Sequence, residues 1–391
     1  MSNRIKICQY IPHGAIPDIR GFAPAIVAQN YALSIDKTEF DMYYISNKED
    51  YKDFYQKTKY GNVYRIFESK IYKRLFKKIT RLDPYPLEKR MAKILNKYPV
   101  DILHVHQIEF NINKFKKYLT KKIPKIIVHS HNFTHKYNSI NGTADRYITL
   151  TQQSKTIMIQ KGYPKEKIIT ITNGIDTNTF KPVADSQKIS LKEKYDIDKD
   201  AIVISFIGRK QEIKGFEKFL FMAEKMILKN KNLVFISVGP EPFDTKYEKS
   251  YLEREQIRNK LSSLDNYKEF QPLKHKELAE IYQMTDITVL LSKREAQGMV
   301  MVESISSGCI TISSNIDGIL ETIEDRYNGY LLTPEVNTDE LIKKVEYILE
   351  NLESKEIENI KKYGRQIATD KFDTSIITNK LQLLYKEIIN E

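Results

Sequence analysis

Residues 287–308, ITVLLSKREAQGMVMVESISSG, contain the pattern that decides the fold. An apolar run, Ile287–Leu291, leads into a polar turn and Gly298, and an apolar-periodic helix follows. A strand that enters a helix through a short polar turn is the repeating unit of α/β folds with parallel sheets. The same alternation extends in both directions from this stretch.

Short β-rich runs alternate with helical patterns along the chain, and they form two series. The first series predicts strands at Ile5–Tyr10, Asp41–Ile45, Ile102–Val105, Lys125–Val128, Tyr147–Leu150 and Ile168–Thr172. The second series predicts strands at Ala201–Ile207, Leu233–Val238, Ile287–Leu291, Ile310–Ser313 and Gly329–Leu332. Because a chain of 391 residues exceeds the size of one hydrophobic core, we expect an α/β protein with two Rossmann-like, doubly wound parallel-sheet domains facing each other across a cleft.

The boundary between the two domains is predicted from a polar segment. Residues 181–200 are polar and include the helix breaker Pro182, so this segment is the expected linker. We therefore place the N-terminal domain at 1–183 and the C-terminal domain at 184–373. The last helical pattern, 374–391, can pack back on the N-terminal domain.

The composition is that of a globular protein outside the membrane. No apolar run approaches the roughly 20 residues that span a bilayer. The start of the chain, MSNRIKICQYIPHG, lacks the apolar region and cleavage site of a signal peptide. The two cysteines, Cys8 and Cys309, lie far apart on predicted strands, which argues against a disulfide framework. We expect a cytoplasmic protein.

The net charge of +12 is concentrated between Lys57 and Lys93. Apolar residues recur there at helical spacing: Ile71, Leu75, Phe76, Ile79 and Leu82. The basic residues are expected on the opposite face of this helix. A basic amphipathic helix of this kind can lie on an anionic membrane or lipid-sugar surface. Alternatively, its apolar stripe faces the core of the domain.

The turn after Leu291 is the first candidate site. The following helix exposes its first backbone N–H groups at the carboxyl edge of a sheet, where an anion can bind. Glu295 lies in the turn and Glu303 lies one to two turns inside the helix, and both suit the hydroxyls of a sugar or ribose. Alternatively, both glutamates are ordinary surface residues.

A second candidate site follows the strand that ends at Ile207. Gly208 is followed by Arg209, and Lys214 closes the short loop. Arginine binds phosphate oxygens with two N–H groups, and lysine acts as a compact charge. Together they would offset the negative charge on a leaving nucleotide diphosphate. Alternatively, they are surface cations at a strand-helix turn.

Four histidines follow or end two predicted strands: His104, His106, His129 and His131. We expect only one histidine of each pair to face the cleft, where it could bind a sugar hydroxyl or act as an acid or base. Zinc must be considered, but cysteine and carboxylate partners at metal-binding spacing are missing. We therefore predict no metal.

These segments, in this order, resemble the retaining GT-B glycosyltransferases known as family 4. Residues 172–176, Thr-Asn-Gly-Ile-Asp, followed by Phe180, look like a further signature of that family. The resemblance implies an N-terminal acceptor-side domain and a C-terminal nucleotide-sugar-binding domain. It also implies a metal-independent hexosyltransferase with no cofactor beyond its donor, a nucleotide diphosphate sugar.

The resemblance assigns a role to each candidate residue. Arg209 and Lys214 fall on the phosphate-binding pair, and Glu295 and Glu303 fall on the E-x7-E motif. The implied catalytic residues are His131, with His129 as the competing assignment, Glu295, Lys214 and Arg209. The implied donor-binding residues are Gly21, Arg209, Lys214, Gly239, Glu295, Gly298, Met299, Val300 and Glu303. The family usually has a Gly-Gly pair in the first loop, where this chain has Arg20-Gly21.

A narrower resemblance points to a substrate. Residues 69–84, the stretch 129–132 and the insertion after Val238 look like the lipopolysaccharide core α-1,2-N-acetylglucosaminyltransferases of enteric bacteria. This implies UDP-GlcNAc as donor, an anionic glycolipid or oligosaccharide acceptor, and peripheral contact with the cytoplasmic face of the inner membrane, with no nucleic acid partner. The alternatives are another hexose donor used for capsule, O-antigen or exopolysaccharide, and a nucleotide-sugar 2-epimerase.

Overall fold

The structure is a computed structural model that describes residues 4–12, 14–18, 23–48, 51, 53–106, 110–131 and 142–391. The chain divides into an N-terminal unit, residues 1–174 with 374–391, and a C-terminal unit, residues 175–373. Arg20 and Gly21, which the sequence placed in the first glycine-containing loop, lie outside the described residues.

The described strands of the N-terminal unit form one sheet. Their bounds are β1 (Ile5–Ile11), β2 (Phe40–Asn47), β3 (Tyr55–Thr58), β4 (Gly61–Ile66), β5 (Ile102–Val105), β6 (Lys125–Ser130), β7 (Arg146–Thr149) and β8 (Ile168–Thr170). The order is β3-β4-β2-β1-β5-β6-β7-β8. All neighbours are parallel except β3 and β4, which form an antiparallel hairpin.

The helices of this unit are α1 (Ala23–Ser34), α2 (Lys70–Thr80), α3 (Leu87–Lys97), α4 (Ile112–Tyr118), α5 (Gln152–Gln160) and, from the end of the chain, α14 (Thr374–Asn390). Strands covered by helices on both faces are buried on both faces, which explains why the apolar runs Ile102–Val105 and Ile126–Val128 barely alternate. Helix α14 joins this core because Leu381, Tyr385 and Ile388 are buried.

The C-terminal unit contains a second parallel sheet. Its strands are β9 (Ile202–Ile207), β10 (Leu233–Val238), β11 (Tyr267–Phe270), β12 (Ile287–Leu290), β13 (Ile310–Ser314) and β14 (Tyr330–Leu332). The order is β11-β10-β9-β12-β13-β14. Counted within the unit this is 3-2-1-4-5-6, the order of doubly wound nucleotide-binding folds, and the order of the strands reverses between β9 and β12.

Helices complete the C-terminal unit: α6 (Asp185–Lys194), α7 (Phe216–Lys229), α8 (Tyr251–Leu261), α9 (His275–Met284), α10 (Met299–Ser306), α11 (Asp317–Leu320), α12 (Thr338–Glu350) and α13 (Lys355–Phe372). The apolar stripe of α7 lies in the core, where Phe216, Phe219 and Ala223 are fully buried. This burial of one helical face is what the apolar spacing of α7 requires.

The prediction of two α/β units with parallel sheets is confirmed, and every strand predicted from the sequence is present. The sequence missed the β3–β4 hairpin and β11, because their short strands are rich in polar residues. The segment 181–200, predicted as a linker, instead contains helix α6. That helix escaped notice because Leu191 is the one apolar residue that it buries.

Candidate active site

The reversal of strand order in the C-terminal sheet brings two loops together. β9 and β12 are parallel neighbours, so residues 208–215 and 291–298 leave the same edge of the sheet side by side. The backbone N–H of Lys293 donates to the carbonyl of Ile213 at 2.8 Å and joins the two loops. In open α/β sheets this edge is where ligands bind.

Lys214 and Glu295 form an ion pair across these two loops. The lysine Nζ lies 2.5 Å from Glu295 Oε1, and the side chains are 14% and 13% exposed. The hydroxyl of Ser292 donates to the same Oε1 at 2.9 Å. Within the described part of the chain, the second oxygen of Glu295, Oε2, has no such donor and can accept a hydrogen bond from a ligand hydroxyl.

Gly215 allows the two loops to approach so closely. Its φ is +73°, a left-handed conformation that glycine adopts at little cost. A Cβ atom at this position would lie 2.6 Å from the carbonyl oxygen of Leu291. Any other residue would push the two loops apart, and Lys214 would then lose its contact with Glu295.

The N-terminus of α10 lies at the same edge of the sheet. Gly298 precedes the helix with a φ of +72°, and its carbonyl accepts from Met301 N–H at 2.8 Å. The first N–H groups of the helix, on Met299 and Val300, have no acceptor within the helix. Since the helix dipole also favours negative charge there, these groups can bind a phosphate.

Two glycines shape the loop that carries Arg209. Gly239 follows β10, and a Cβ atom on it would lie 2.0 Å from the carbonyl oxygen of Gly208. The backbones at the ends of β9 and β10 therefore lie in direct contact, with no side chain between them. The Arg209 side chain, directly after Gly208, is exposed. Its guanidinium is therefore available to a ligand, whereas the next cation, Lys210, is fully buried.

Lys210 belongs to a set of ion pairs that the sequence did not reveal. Its Nζ lies 2.9 Å from Glu269, and Glu269 also pairs with Arg258. Glu241 accepts from Arg258 at 2.6 Å and from the fully buried Arg254 at 3.2 Å. Through these ion pairs the insertion after β10 anchors the loop after β9. The anchoring is strong, since removing one member of a buried ion pair would leave an uncompensated charge.

Glu303 lies in a different environment from Glu295. Tyr282 Oη donates to Glu303 Oε2 at 3.0 Å and lies 3.3 Å from the carbonyl oxygen of Val300. Burial raises the pKa of Glu303 to about 7, and the hydrogen bond from Tyr282 opposes that rise. Its carboxyl group therefore changes protonation near neutral pH. Tyr282 is a site residue that sequence spacing missed.

The four histidines of the N-terminal unit form one stack, so the two histidines of each pair do not point in opposite directions, contrary to what the expectation of a single cleft-facing histidine assumed. Residues two positions apart lie on the same face of a strand. Ring centroids are 4.4 Å apart for His104–His106 and 4.1 Å apart for His129–His131. His131 is the most exposed of the four, whereas His129 is fully buried. Of these two candidates, His131 is therefore the one that a ligand can reach.

A chain of hydrogen bonds sets the tautomer of His131. Gln9 Oε1 can only accept, so His106 Nε2, 3.1 Å away, carries a proton. His106 Nδ1 then accepts from His131 Nε2 at 2.7 Å. The remaining nitrogen of His131, Nδ1, is consequently an acceptor. Gln9 lies on another strand, β1, and no motif of the sequence pointed to it.

Burial keeps these histidines neutral. It lowers the pKa of His131 to about 3 and, together with the neighbouring His131, lowers that of His104 to about 3. It also lowers the pKa values of His106 and His129 well below the usual range. A neutral imidazole with such a low pKa is a weak base, so the geometry favours hydrogen bonding over proton transfer.

Within the described residues, nitrogens of His104, His106 and His129 lie within 4.8 Å of one another and could in principle surround a metal ion. Their rings are stacked, with interplanar angles of 13° to 33°. The lone pairs lie in the ring planes and so do not point toward one centre. Several of these nitrogens are already hydrogen-bonded, as between His104 Nε2 and His129 Nδ1 at 3.2 Å. The arrangement suits a hydrogen-bond network better than a zinc ion.

Comparison with known families accounts for most of the chain. Residues 26–179 match the family Glycosyltransferase Family 4, and residues 187–367 match Glycosyl transferases group 1. The two matches fall on successive parts of the chain and include every described strand of the two sheets except β1.

Individual relatives are more distant. The lipopolysaccharide 1,2-N-acetylglucosaminetransferase of Salmonella typhimurium strain LT2 is 25% identical over 309 residues, which cover 76% of this chain and 77% of the relative. Spore coat protein SA of Bacillus subtilis strain 168 is 23% identical over 318 residues, covering 78% and 83%.

Solved structures establish the fold. The crystal structure of Anabaena Alr3699/HepE in complex with UDP-glucose has a TM-score of 0.74 and 17% identity, and the alignment covers 98% of this chain and 100% of that one. The chain therefore has the GT-B fold, and it contains a region that matches Glycosyltransferase Family 4 followed by a region that matches Glycosyl transferases group 1.

Proposed function

We propose that this protein is a retaining, metal-independent hexosyltransferase that takes a sugar from a nucleotide diphosphate donor. The best candidate for the donor is UDP-GlcNAc, and the acceptor is a lipopolysaccharide core or a related surface glycan. The name of the Salmonella relative supports the sugar and the acceptor, and UDP-glucose in the Anabaena structure supports a UDP-linked donor. No further cofactor and no nucleic acid partner is part of the proposal.

The observation that carries the proposal is the Lys214–Glu295 pair beside the N-terminus of α10. In the proposed reaction the bond between the sugar and the diphosphate breaks while the acceptor hydroxyl attacks from the same face of the sugar, and the hydroxyl proton passes to the departing diphosphate. Arg209, Lys214 and the N–H groups of Met299 and Val300 stabilise the charge on the diphosphate. No protein nucleophile is required.

The remaining residues bind hydroxyls. Glu295 accepts a hydrogen bond from a hydroxyl of the donor sugar at Oε2, because Lys214 and Ser292 already donate to Oε1. Glu303 binds the ribose hydroxyls as a carboxylate. His131 orients the donor sugar by accepting a hydrogen bond at Nδ1, and Gly239 and Gly298 give the backbone room to approach the donor.

We place the reaction in the cytoplasm, with an anionic glycolipid or oligosaccharide as acceptor. A phosphorylated acceptor fits a chain with a net charge of +12. A transferase of the same family that uses another hexose for capsule, O-antigen or exopolysaccharide is the first alternative. A nucleotide-sugar 2-epimerase is a more distant alternative, because it would need no acceptor.

The test is release of nucleoside diphosphate from UDP-, GDP- and ADP-sugars in EDTA, with and without a lipopolysaccharide core acceptor. We expect turnover of UDP-GlcNAc that requires the acceptor, and an anomeric configuration in the product that matches the donor. Glu295→Ala should abolish turnover, and Glu353→Ala, which removes an exposed carboxylate of the same unit, should not.

Each other outcome contradicts a defined part of the proposal. Turnover of a different sugar would exclude UDP-GlcNAc as the donor, and dependence on added metal would contradict the metal-independent mechanism. An inverted product would exclude retention. Epimerised nucleotide sugar without acceptor would favour the 2-epimerase.

A further inference from the structure

Helix α2 is a separately anchored element of the N-terminal unit. The hydroxyl of Ser69 caps its N-terminus by accepting from Tyr72 N–H. Arg81 ends it in a left-handed conformation with a φ of +60°. Lys73 pairs with Glu68 at 2.8 Å and with Asp83 at 3.4 Å, so both flanks of the helix are bound to the same lysine. These contacts fix the orientation of the helix.

The apolar face of α2 points to solvent. Ile71, Leu75 and Ile79 lie four residues apart on one face and are 71%, 53% and 82% exposed. Tyr72 and Leu82 extend this surface at 49% and 65% exposure. The sequence left open whether the stripe faces the core, and the structure excludes that interpretation for every residue of the stripe except Phe76, which is partly buried. Helix α7, whose apolar spacing is comparable, buries its stripe completely.

Contrary to the expectation from the sequence, the basic residues of α2 do not all lie opposite the apolar stripe. With 3.6 residues per turn, Arg74 and Lys78 lie beside Ile71 and flank the stripe, and Lys77 lies farther around the helix. Arg74, Lys77 and Lys78 are exposed, and none of them forms an ion pair within the part of the chain that the structure describes. Positive charge therefore runs along the same helix as the exposed apolar stripe. A contiguous apolar surface of this kind marks an interaction site rather than scattered surface residues.

We propose that α2 binds the surface of an anionic membrane by lying in the plane of the lipid headgroups. Ile71, Leu75 and Ile79 enter the boundary between headgroups and acyl chains, and Arg74 and Lys78, which flank the stripe, contact the lipid phosphates. Charge complementarity along the whole helix selects this occupant, because a bilayer offers negative charge and apolar contact in one plane. Binding requires only lipid, and it is independent of the proposed sugar transfer.

The length of the helix agrees with a position in the plane. α2 contains 11 residues, about half of what a span requires. None of the helices among the described residues is long and apolar enough to cross a bilayer. Attachment through a short amphipathic helix is reversible and depends on the charge of the lipid, in contrast to insertion.

The first experiment uses the absence of tryptophan from the chain. Ile79→Trp places a single reporter at the centre of the proposed contact, and Leu228→Trp places one on α7 at a comparable 79% exposure. With vesicles of phosphatidylglycerol, we expect the emission of Ile79→Trp to shift to shorter wavelength and that of Leu228→Trp to remain unchanged. Vesicles of phosphatidylcholine should shift neither.

The second experiment measures binding of the full chain to sedimented vesicles. Leu75→Ser with Ile79→Ser should lower the partition coefficient at least about tenfold, because two apolar side chains no longer enter the lipid. Arg74→Gln and Lys78→Gln should each lower it about fivefold. Leu228→Ser is the matched control and should bind like the unchanged protein. Circular dichroism verifies that each variant is folded.

Four results would overturn the proposal. The first is equal binding to phosphatidylcholine and phosphatidylglycerol, and the second is unchanged binding of the Leu75→Ser, Ile79→Ser variant. The third is a shift of Ile79→Trp emission that follows protein concentration without vesicles, which would indicate a second copy of the chain on this face. A need for glycolipid in the vesicles would assign the surface to the acceptor instead.

Discussion

At the carboxyl edge of the C-terminal sheet, Lys214 and Glu295 pair as ions between two loops. At the corresponding edge of the N-terminal sheet, His106 and His131 pair as neutral rings. Both sites lie where parallel strands end, but the first carries full charges and the second has none near neutral pH. A charged edge suits a diphosphate, and a neutral edge suits hydroxyls.

The two edges also differ in how their geometry is fixed. Gly215 brings the charged loops within reach of each other, and the ion pairs around Lys210 anchor one of them. The histidine stack is instead fixed by burial and by hydrogen bonds that reach back to Gln9 and Tyr385. Changes at the charged edge should therefore affect rate most, and changes at the neutral edge should affect rate least.

After the loss of turnover in Glu295→Ala, the largest effect is expected for Lys214→Ala. Losing one stabiliser of developing negative charge typically lowers kcat about 10²–10³-fold. The fold should remain, because the lysine lies on a loop and Ser292 still donates to Glu295. Turnover of the nucleotide sugar and the melting temperature are the measurements. Lys225→Ala, which removes a lysine paired with Asp339 on the surface, is the control. A near-normal kcat for Lys214→Ala would contradict the role of the charged edge.

The next effect concerns Glu303 and pH. Its pKa of about 7 means that the carboxylate, the form that accepts from ribose hydroxyls, increases as pH rises through 7. Affinity for UDP should therefore rise across this range. Glu303→Gln should lower affinity about 10- to 100-fold and remove the pH dependence, as measured by titration calorimetry. Tyr282→Phe should move the midpoint to higher pH, because it removes the hydrogen bond that lowers this pKa.

The same pKa shift has a consequence for stability. Between the usual pKa of glutamate and 7, the folded protein binds the Glu303 proton more tightly than the unfolded chain does. This group therefore lowers the free energy of unfolding as pH rises through that window. Glu303→Gln should flatten this part of the pH profile in denaturant unfolding. An unchanged slope would show that Glu303 titrates at its ordinary pKa.

The sequence predicted those parts of the fold that depend on continuous apolar runs. Strands such as Leu233–Val238 are buried on both faces and are visible as uninterrupted apolar segments. The hairpin strand Tyr55–Thr58, YQKT, has no such run and was missed. Helix α2 was predicted from its spacing, but spacing cannot show whether an apolar stripe meets a core or solvent.

The candidate site was predicted residue by residue, but not as a set of contacts. Lys214 and Glu295 stand 81 positions apart, and only the adjacency of β9 and β12 brings them together. Tyr282 lies on a helix with no motif around it. The histidines were misjudged because residues two positions apart lie on the same face of a strand, and the neighbouring strands β5 and β6 bring the two pairs together.

A smaller effect is expected for His131→Ala. One neutral hydrogen bond contributes about 1 kcal/mol, so kcat/KM should fall about fivefold. Because burial lowers the pKa of His131 to about 3, the residue stays neutral over the neutral range. The pH profile of kcat should therefore have the same shape with and without His131. If kcat of the unchanged protein rises or falls between about pH 6 and 7, and this change is absent in His131→Ala, the histidine transfers a proton.

The smallest effect, and the sharpest test of the neutral edge, is Gln9→Leu. Without Oε1 of Gln9, His106 Nε2 has no acceptor to keep its proton there, so the pair with His131 can reverse. If both tautomers are then populated comparably, about half of the molecules present Nδ1 of His131 as an acceptor, and kcat/KM falls about twofold. Nitrogen chemical shifts of His131 should change from one tautomer to two. Gln29→Leu, which removes another buried glutamine of the same unit, should leave them unchanged. If His131 keeps one tautomer in Gln9→Leu, the order at this edge comes from the stacked rings themselves and not from the hydrogen bond behind them.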